Sequence, residues 1–299
     1  MSAAEETGAA SVRLGSPHPR LSINQATIKY TPLAEALDVV SRAGVQSIGI
    51  WREEIAAHGL PEVARMVSGS GLRVSSLCRG GFFTASDEAA RRVAVEDNRR
   101  AIEETAALKD AGAPGSAAVL VLVAGGLPEG SRDLAGARER VRDAIGALES
   151  DARAAGVTLA IEALHPMYVA DRAVVSTLGQ ALDIAEDFPA ESVGVVVDTF
   201  HIWWDPAVLG QIARAGAGGR IATYQVCDFL TPLPADVLLG RGMMGDGHID
   251  FGPLTDAVTA AGYRGDVEVE IFNQAVWDAN PEEVVARTVQ KFAECVPLS

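Results

Sequence analysis

The feature that most constrains this chain is a regular alternation of short β-like runs with longer helical stretches, which begins at Leu21. Apolar residues at strand or helical spacing separate the two kinds of segment. We predict strands over residues 21–28, 46–51, 72–78, 117–125, 157–164, 193–200, 220–229 and 266–273. The predicted helices span residues 32–43, 61–70, 87–111, 131–155, 178–187, 206–215, 253–261 and 281–295. Strands joined in this way pair in parallel through right-handed crossovers.

Eight such units predict an α/β fold with a single (β/α)8 TIM barrel, because a closed barrel of eight strands leaves no edge exposed. A doubly wound open sheet is the alternative, but it usually carries a glycine-rich phosphate turn after its first strand. Residues 24–27 read NQAT and contain no glycine. We expect residues 21–299 to form one domain. Residues 1–20 read as a flexible tail without the pattern of a signal peptide.

Composition excludes some classes of function. The net charge of −15 makes nucleic acid and anionic membrane surfaces poor partners, and no run of 18 apolar residues predicts a membrane span. The three cysteines, Cys78, Cys227 and Cys295, are widely spaced and form no CxxC pair. This pattern is typical of a reducing compartment, so we predict a cytoplasmic protein.

Polar residues end four successive predicted strands, and the C-terminal ends of barrel strands carry functional groups. They are Glu162, Asp198, Gln225 and Glu270. Carboxylates in apolar strands are costly unless they are paired or bind a metal, and these strands contain no Lys or Arg close by. Oxygen ligands favour one divalent ion, with Mn2+ or Mg2+ expected first. Glu268 shares a face with Glu270, but a strand glutamate is most often exposed, and Glu270 lies nearer the strand end.

Several segments together resemble the xylose isomerase-like barrel superfamily of sugar isomerases and epimerases. They are IEALHP, VVVDTFHIWW, YQVCDF, GRGMMGDGHIDFGPL and VEVEIFN, and the resemblance extends over nearly all of the chain after residue 20. The resemblance implies that Glu162, Asp198, Gln225 and Glu270 bind the metal. Tagatose and psicose epimerases have His at the third of these positions. A Gln at this position, as in this chain, resembles the hydroxypyruvate isomerase-like and dehydroshikimate dehydratase-like members of the superfamily.

Further residues near the strand ends are candidates for proton transfer or for substrate binding. His165 and His201 are candidate acid–base groups, with a loop histidine and a helix cap as the structural alternatives. Arg241 resembles the substrate-binding arginine of the epimerases, against the alternative of a solvated loop charge. The remaining predicted substrate-binding residues are Arg79, Trp51 and Asp228.

The resulting functional prediction is a metal-dependent isomerase or epimerase of a sugar or keto-sugar. The metal polarises a carbonyl, and Glu162 and Glu270 remove and return a proton through an enediolate. The alternative is a lyase that eliminates the aglycone from 3-keto-glycosides, because the spacing of Glu162 and His165 resembles that in C-glycoside deglycosidases. A phosphodiesterase like endonuclease four needs many histidines, and this chain has five. A non-catalytic sugar-binding protein, a homo-oligomer and a small second subunit stay open.

Overall fold

Eight parallel strands close into a barrel in the computed structural model, which describes residues 16–298. Around the barrel the order is β1, β10, β7, β6, β5, β4, β3 and β2, and two short strands, β8 and β9, form an antiparallel pair outside it. The single (β/α)8 barrel predicted from the sequence is therefore confirmed. The strands are β1 Leu21–Asn24, β2 Ser47–Trp51, β3 Arg73–Gly81, β4 Val119–Val123, β5 Thr158–Glu162, β6 Val193–Asp198, β7 Ile221–Val226, β8 Asp228–Phe229, β9 Arg241–Gly242 and β10 Val267–Val269.

The helices of the described residues surround this barrel. Their apolar faces pack on the outside of the strands, and β4 is buried along its whole length, as expected for a parallel strand covered by helices. They are α1 Leu33–Arg42, α2 Arg52–His58, α3 Leu60–Ser70, α4 Glu88–Ala111, α5 Leu134–Ala155, α6 Leu178–Ala185, α7 Thr199–Ile202, α8 Val208–Ala217, α9 Phe251–Ala260, α10 Gln274–Trp277 and α11 Pro281–Cys295. Within residues 16–298, no helix is long and apolar enough to cross a membrane.

Several strands end earlier than the sequence predicts, because a polar side chain at the strand end begins a helical turn. The β1 strand stops at Asn24, whose Oδ1 accepts the backbone N–H of Ala26 at 2.9 Å and starts a 3-10 turn over Gln25–Ile28. Asp198 ends β6 in the same way, accepting the N–H of Phe200 at 2.8 Å at the start of α7. The short helices α2, α7 and α10 were not predicted.

The predicted tail lies mainly outside the described residues, which begin at residue 16. In the described part, the Arg20 guanidinium donates to the carbonyl of Gly265 at 2.7 Å, so the chain is attached to the barrel just before β1. The flexibility predicted for residues 1–15 stays a prediction. No composition break divides the rest, and the core is continuous around the barrel.

Candidate active site

A cavity of about 370 Å³ opens at the carboxyl ends of the barrel strands. Glu162 is the last residue of β5, Gln225 lies near the end of β7, and Glu270 directly follows β10. Closure of the barrel therefore brings together side chains that are far apart in the sequence. The predicted site residues that line the cavity are Trp51, Arg79, Glu162, His201, Gln225, Arg241 and Glu270.

A buried guanidinium lies among the carboxylates of this cavity. Arg241 Nη1 is 3.1 Å from Asp198 Oδ2 and 3.0 Å from Glu270 Oε2, and Arg241 is 3% exposed. Its guanidinium stacks between the rings of Phe200 and Phe272, at 4.8 Å and 5.1 Å from their centroids. The barrel strands that carry these carboxylates hold no Lys or Arg beside them, and the cation comes from β9 outside the barrel, where Arg241 lies. Arg241 thus neutralises part of the charge that we assigned to a metal alone.

The carboxyl groups around Arg241 hold protons more tightly than free carboxyl groups do. Burial raises the pKa of Glu270 to about 8, with Asp198 and Glu268 adding to the rise and Arg241 opposing it. Burial also raises the pKa of Glu162 well above its usual value, and the charges of Asp198 and Glu270 raise it further. The pKa of Asp198 rises by burial and is held down mainly by Arg241. Glu270 is therefore able to exchange a proton near neutral pH, and Glu162, which lines the same cavity, also holds its proton more tightly than a free glutamate does.

His201 is a buried, neutral imidazole in the same cluster. Burial and the charge of Arg241 lower its pKa well below the usual value. Its Nδ1 accepts the backbone N–H of His165 at 3.1 Å, while its Nε2 lies 2.9 Å from Arg241 Nη2. A neutral imidazole accepts through one nitrogen only, so these contacts compete. A substrate oxygen beside Nε2 would resolve the competition by accepting its N–H.

The donor set fits a hard divalent cation. Ligand atoms of Glu162, Asp198 and His201 lie within 4.8 Å of one another, and Glu270 belongs to a neighbouring group with Cys78 and Glu268. Gln225 Oε1 is buried and has no hydrogen-bond partner among the described residues. A buried carbonyl oxygen is normally paired, and a cation would satisfy this one. The carboxylates and this free oxygen are the ligand types that Mg2+ or Mn2+ prefers.

Arg79 and Trp51 form part of the cavity wall near its mouth. The Arg79 guanidinium lies 5.5 Å from the Trp51 ring centroid and 4.9 Å from that of Phe82. The indole N–H of Trp51 donates to Asn24 Oδ1 at 2.6 Å, which fixes the ring. Both residues are therefore placed where a polar ligand entering the cavity would meet them.

Asp228, predicted to bind substrate, is not among the residues that line the cavity. Its carboxylate is completely buried and accepts backbone N–H groups from Phe229, Gly245, Gly247 and Ile249 at 2.8–2.9 Å. These bonds hold the loop that follows β9. In the structure the Asp228 carboxylate makes only these structural contacts, and β8, which begins at Asp228, pairs with β9, the strand that carries Arg241.

His165 also lies outside the cavity lining. Its ring packs against Trp204 at 5.5 Å between centroids, and its Nδ1 accepts the N–H of Met167 at 3.3 Å. Burial lowers its pKa. These contacts match the structural alternative, a loop histidine, which here caps the 3-10 turn Pro166–Tyr168.

The sequence left the position of Glu268 open, because Glu268 shares a face with Glu270 whereas a strand glutamate is most often exposed. The side chain is 0% exposed and points into the barrel below the cavity. The signal was present in VEVEIFN, because residues two apart on a strand share a face. If Glu270 faces the barrel interior, Glu268 must do so too.

The chain matches the family model described as xylose isomerase-like TIM barrel over residues 37–295. It is similar to the crystal structure of protein SMc04130 from Sinorhizobium meliloti 1021, with 48% identity, a TM-score of 0.87, and coverage of 93% of this chain and 98% of that chain. The structure of the IOLI protein with a binding zinc atom is 22% identical, with a TM-score of 0.78 and coverage of 93% and 98%.

A curated relative, the L-ribulose 3-epimerase of Mesorhizobium japonicum, is 31% identical over 137 residues. That similarity covers 46% of this chain and 41% of the epimerase, so the chain matches less than half of that enzyme's length. The family model, by contrast, extends from α1 to the last residue of α11. With the closed barrel and the polar strand ends, this match shows that the chain belongs to the xylose isomerase-like TIM barrel family.

Proposed function

We propose that this protein is a divalent-metal-dependent isomerase or epimerase of a sugar or keto-sugar. The observation that carries the proposal is the pair Glu162 and Glu270, which line one cavity from strands three places apart around the barrel. Both carboxyl groups have raised pKa values, and Glu270 has a pKa of about 8. A carboxyl group with the pKa of Glu270 can take up and return a proton near neutral pH. The similarity to L-ribulose 3-epimerase supports the same reaction class.

Glu162, Asp198, Gln225 and Glu270 are the residues proposed to hold the metal, with Mn2+ or Mg2+ favoured by the oxygen donors. When bound, a divalent ion polarises a substrate carbonyl and acidifies the adjacent C–H. The unpaired Oε1 of Gln225 supports a ligand role for that residue. The IOLI neighbour, which is described with a binding zinc atom, supports a divalent metal in a protein of this fold.

The chain's own groups then divide the proton transfer and the binding between them. One of Glu162 and Glu270 removes a proton next to the carbonyl, which gives an enediolate, and the other returns it. His201 donates its Nε2–H to a substrate oxygen, since burial keeps the ring neutral. Arg241 is proposed to contact substrate oxygens, and Arg79 and Trp51 to bind the far end of the sugar at the mouth.

The lyase alternative depends on Glu162 and His165 acting together. His165 does not line the cavity and its Nδ1 is used by the Met167 N–H, so this pairing has less support than isomerisation. An assay on 3-keto-glycosides would detect released aglycone and decide between the two reactions.

The test is proton exchange in D2O with a panel of keto-sugars and 3-keto-glycosides, with Mn2+ added to metal-free protein. We expect deuterium at a carbon next to the carbonyl, and loss of this label with EDTA, with Glu162→Gln or with Glu270→Gln. Glu186→Gln, which changes a surface partner of Arg214, is the matched control and should leave exchange unaltered. Exchange that survives both EDTA and the two site substitutions would overturn the proposal.

The cellular location and the oligomeric state of the protein are further parts of this proposal. We expect a cytoplasmic enzyme whose partner is a small sugar or keto-sugar, and its three cysteines are free in the structure. Light scattering on the purified chain would distinguish a monomer from a homo-oligomer. Activity of the chain alone would show that no second subunit is needed.

A further inference from the structure

Glu268 is a completely buried carboxylate that the proposed reaction does not use. It lies on β10 beside Gln225 of β7, its register partner in the barrel. Gln225 Nε2 donates to its Oε1 at 2.8 Å, and Asn24 Nδ2 donates to the same oxygen at 2.7 Å. Its Oε2 accepts from the hydroxyls of Ser76, at 2.9 Å, and of Ser75. These four donors are all neutral, so Glu268 is held by hydrogen bonds alone, and each of its two oxygens accepts two of them.

The contact with Glu268 decides which way the carboxamide of Gln225 points. Both oxygens of Glu268 accept hydrogen bonds in this network, so the NH2 group of Gln225 faces Glu268. The carbonyl oxygen Oε1 then points away from Glu268, where it is buried and unpartnered beside the cavity. Reversing the amide would place two acceptors against each other and would leave the NH2 group in the cluster of carboxyl groups.

We propose that Glu268 is a positioning residue, which fixes the carboxamide of Gln225 so that Oε1 is presented to the metal site. The inference rests on the proposed function, since it assigns Gln225 to the metal. An amide side chain has two orientations that differ little in shape, and only one of them offers oxygen. Glu268 selects that one, much as a carboxylate behind a metal-binding histidine fixes its ring.

The backbone opposite Glu268 gives independent support. Gly49 lies on β2, and a Cβ added there would be 2.6 Å from Glu268 Oε2 and 2.9 Å from Asn24 Nδ2. A residue with a side chain would therefore push into this network. The network also continues from Asn24 to the indole N–H of Trp51, so Glu268 links the floor of the cavity to its wall.

The experiment measures binding of Mn2+ alone to metal-free protein, by calorimetry and by the loss of the free-ion EPR signal. It compares the parent, Glu268→Met, Gln225→Ala and the double variant. Methionine keeps a long apolar side chain but has no oxygen to accept from Gln225 Nε2, so we expect Glu268→Met to weaken Mn2+ binding by about 10–100-fold, the usual effect of removing a group that orients a ligand. In the Gln225→Ala background the same change should have no further effect beyond about twofold.

A plain effect of charge would give a different result, because it would not depend on Gln225. Asp266→Asn is the matched control: it removes a part-buried carboxylate two residues before Glu268, where Asp266 pairs with Arg73 at 2.6 Å. We expect that variant to bind Mn2+ as the parent does. Parent-like binding by Glu268→Met, or fold-losses that multiply in the double variant, would overturn the inference.

A swap keeps the inference testable if Glu268→Met does not fold, as judged by circular dichroism. The variant Gln225→Glu/Glu268→Gln keeps one buried carboxylate and lets the new amide at 268 donate to the new carboxylate at 225. We expect it to fold and to bind Mn2+ at least as tightly as the parent. A folded swap without Mn2+ binding counts against the inference. A parent that binds no divalent metal at all would instead overturn the proposed function.

Discussion

Replacing Arg241 by methionine tests the balance of charge at the centre of this site. The substitution keeps a long apolar side chain between Phe200 and Phe272 and removes the guanidinium. Asp198 and Glu270 then lose their cationic partner at 3.1 Å and 3.0 Å while remaining buried. Arg241 also contacts His201, so the change alters the whole cluster.

The magnitude follows from breaking a buried ion pair. Removing one partner and leaving the other charged and buried costs about 3–5 kcal/mol. At roughly 2–4 °C for each kcal/mol in domains only slightly smaller than this one, the metal-free variant should melt about 6–20 °C below the parent. The loss of stability should be smaller near pH 6 than at higher pH, because Asp198 and Glu270 take up protons more readily once their cationic partner is gone.

Divalent metal should reverse this loss. A ligand present at about 100 times its Kd adds about 2.7 kcal/mol to the stability of the folded state. In Arg241→Met no guanidinium competes for Asp198 and Glu270, so Mn2+ should raise the melting temperature by more than it does in the parent. The change therefore separates stability, which falls, from metal affinity, which rises.

The assay is thermal unfolding followed by circular dichroism, in EDTA and in excess Mn2+, for the parent, Arg241→Met and Arg214→Met. Arg214 is the matched control, since it also bridges two carboxylates, Asp183 and Glu186, but does so at the surface. Surface pairs contribute less than about 1 kcal/mol. The reasoning is refuted if Arg241→Met melts with the parent in EDTA, or if Mn2+ stabilises it less than the parent.

Three further predictions follow from particular contacts. Gly49→Ala should destabilise the protein by about 1–3 kcal/mol in urea unfolding, because its Cβ would lie 2.6 Å from Glu268 Oε2; an unchanged midpoint would contradict this. The metal-free parent should lose stability as pH rises from 4.5, the ordinary pKa of a glutamate, towards about 8, because the folded state binds the Glu270 proton more tightly than the unfolded state does. Thermal unfolding in EDTA across this pH range measures the loss. A melting temperature that does not change with pH would contradict the raised pKa of Glu270. Asp228→Asn should speed hydrogen exchange of the backbone N–H groups of Gly245, Gly247 and Ile249, because the single side-chain oxygen of Asn cannot accept from all of them. Hydrogen-exchange mass spectrometry measures this, and unchanged exchange rates would refute the structural role of Asp228.

The sequence predicted the barrel because its evidence is local and repeated. Apolar periodicity identifies each strand and helix without knowledge of distant contacts, and α11 was predicted over the residues that form it, Pro281–Cys295. Strand ends were less predictable, since single side chains such as Asn24 and Asp198 begin helical turns there. Those capping bonds are specific to each end and leave no periodic signal.

The sequence also located most of the cavity, because a general property of barrels places functional groups at the carboxyl ends of strands. That property selected Glu162, Gln225 and Glu270, which do line one cavity. It could not separate residues that follow a strand closely but turn away from the cavity. The side chains of His165 and Asp228 do not line the cavity and instead accept hydrogen bonds from nearby backbone N–H groups.

By itself, then, the sequence determined the barrel and the polar strand ends, because both are written in the order of residues along single segments. Only the tertiary structure decided how these groups interact. Arg241 meets Asp198 across 43 positions of sequence, and Glu268 meets Gln225 across another 43. Such contacts depend on barrel closure and on the β8–β9 pair that carries Arg241, and no local pattern encodes them. The physical reason is that periodicity reports which face of a segment is buried, whereas the partner of a buried charge is set by packing between segments.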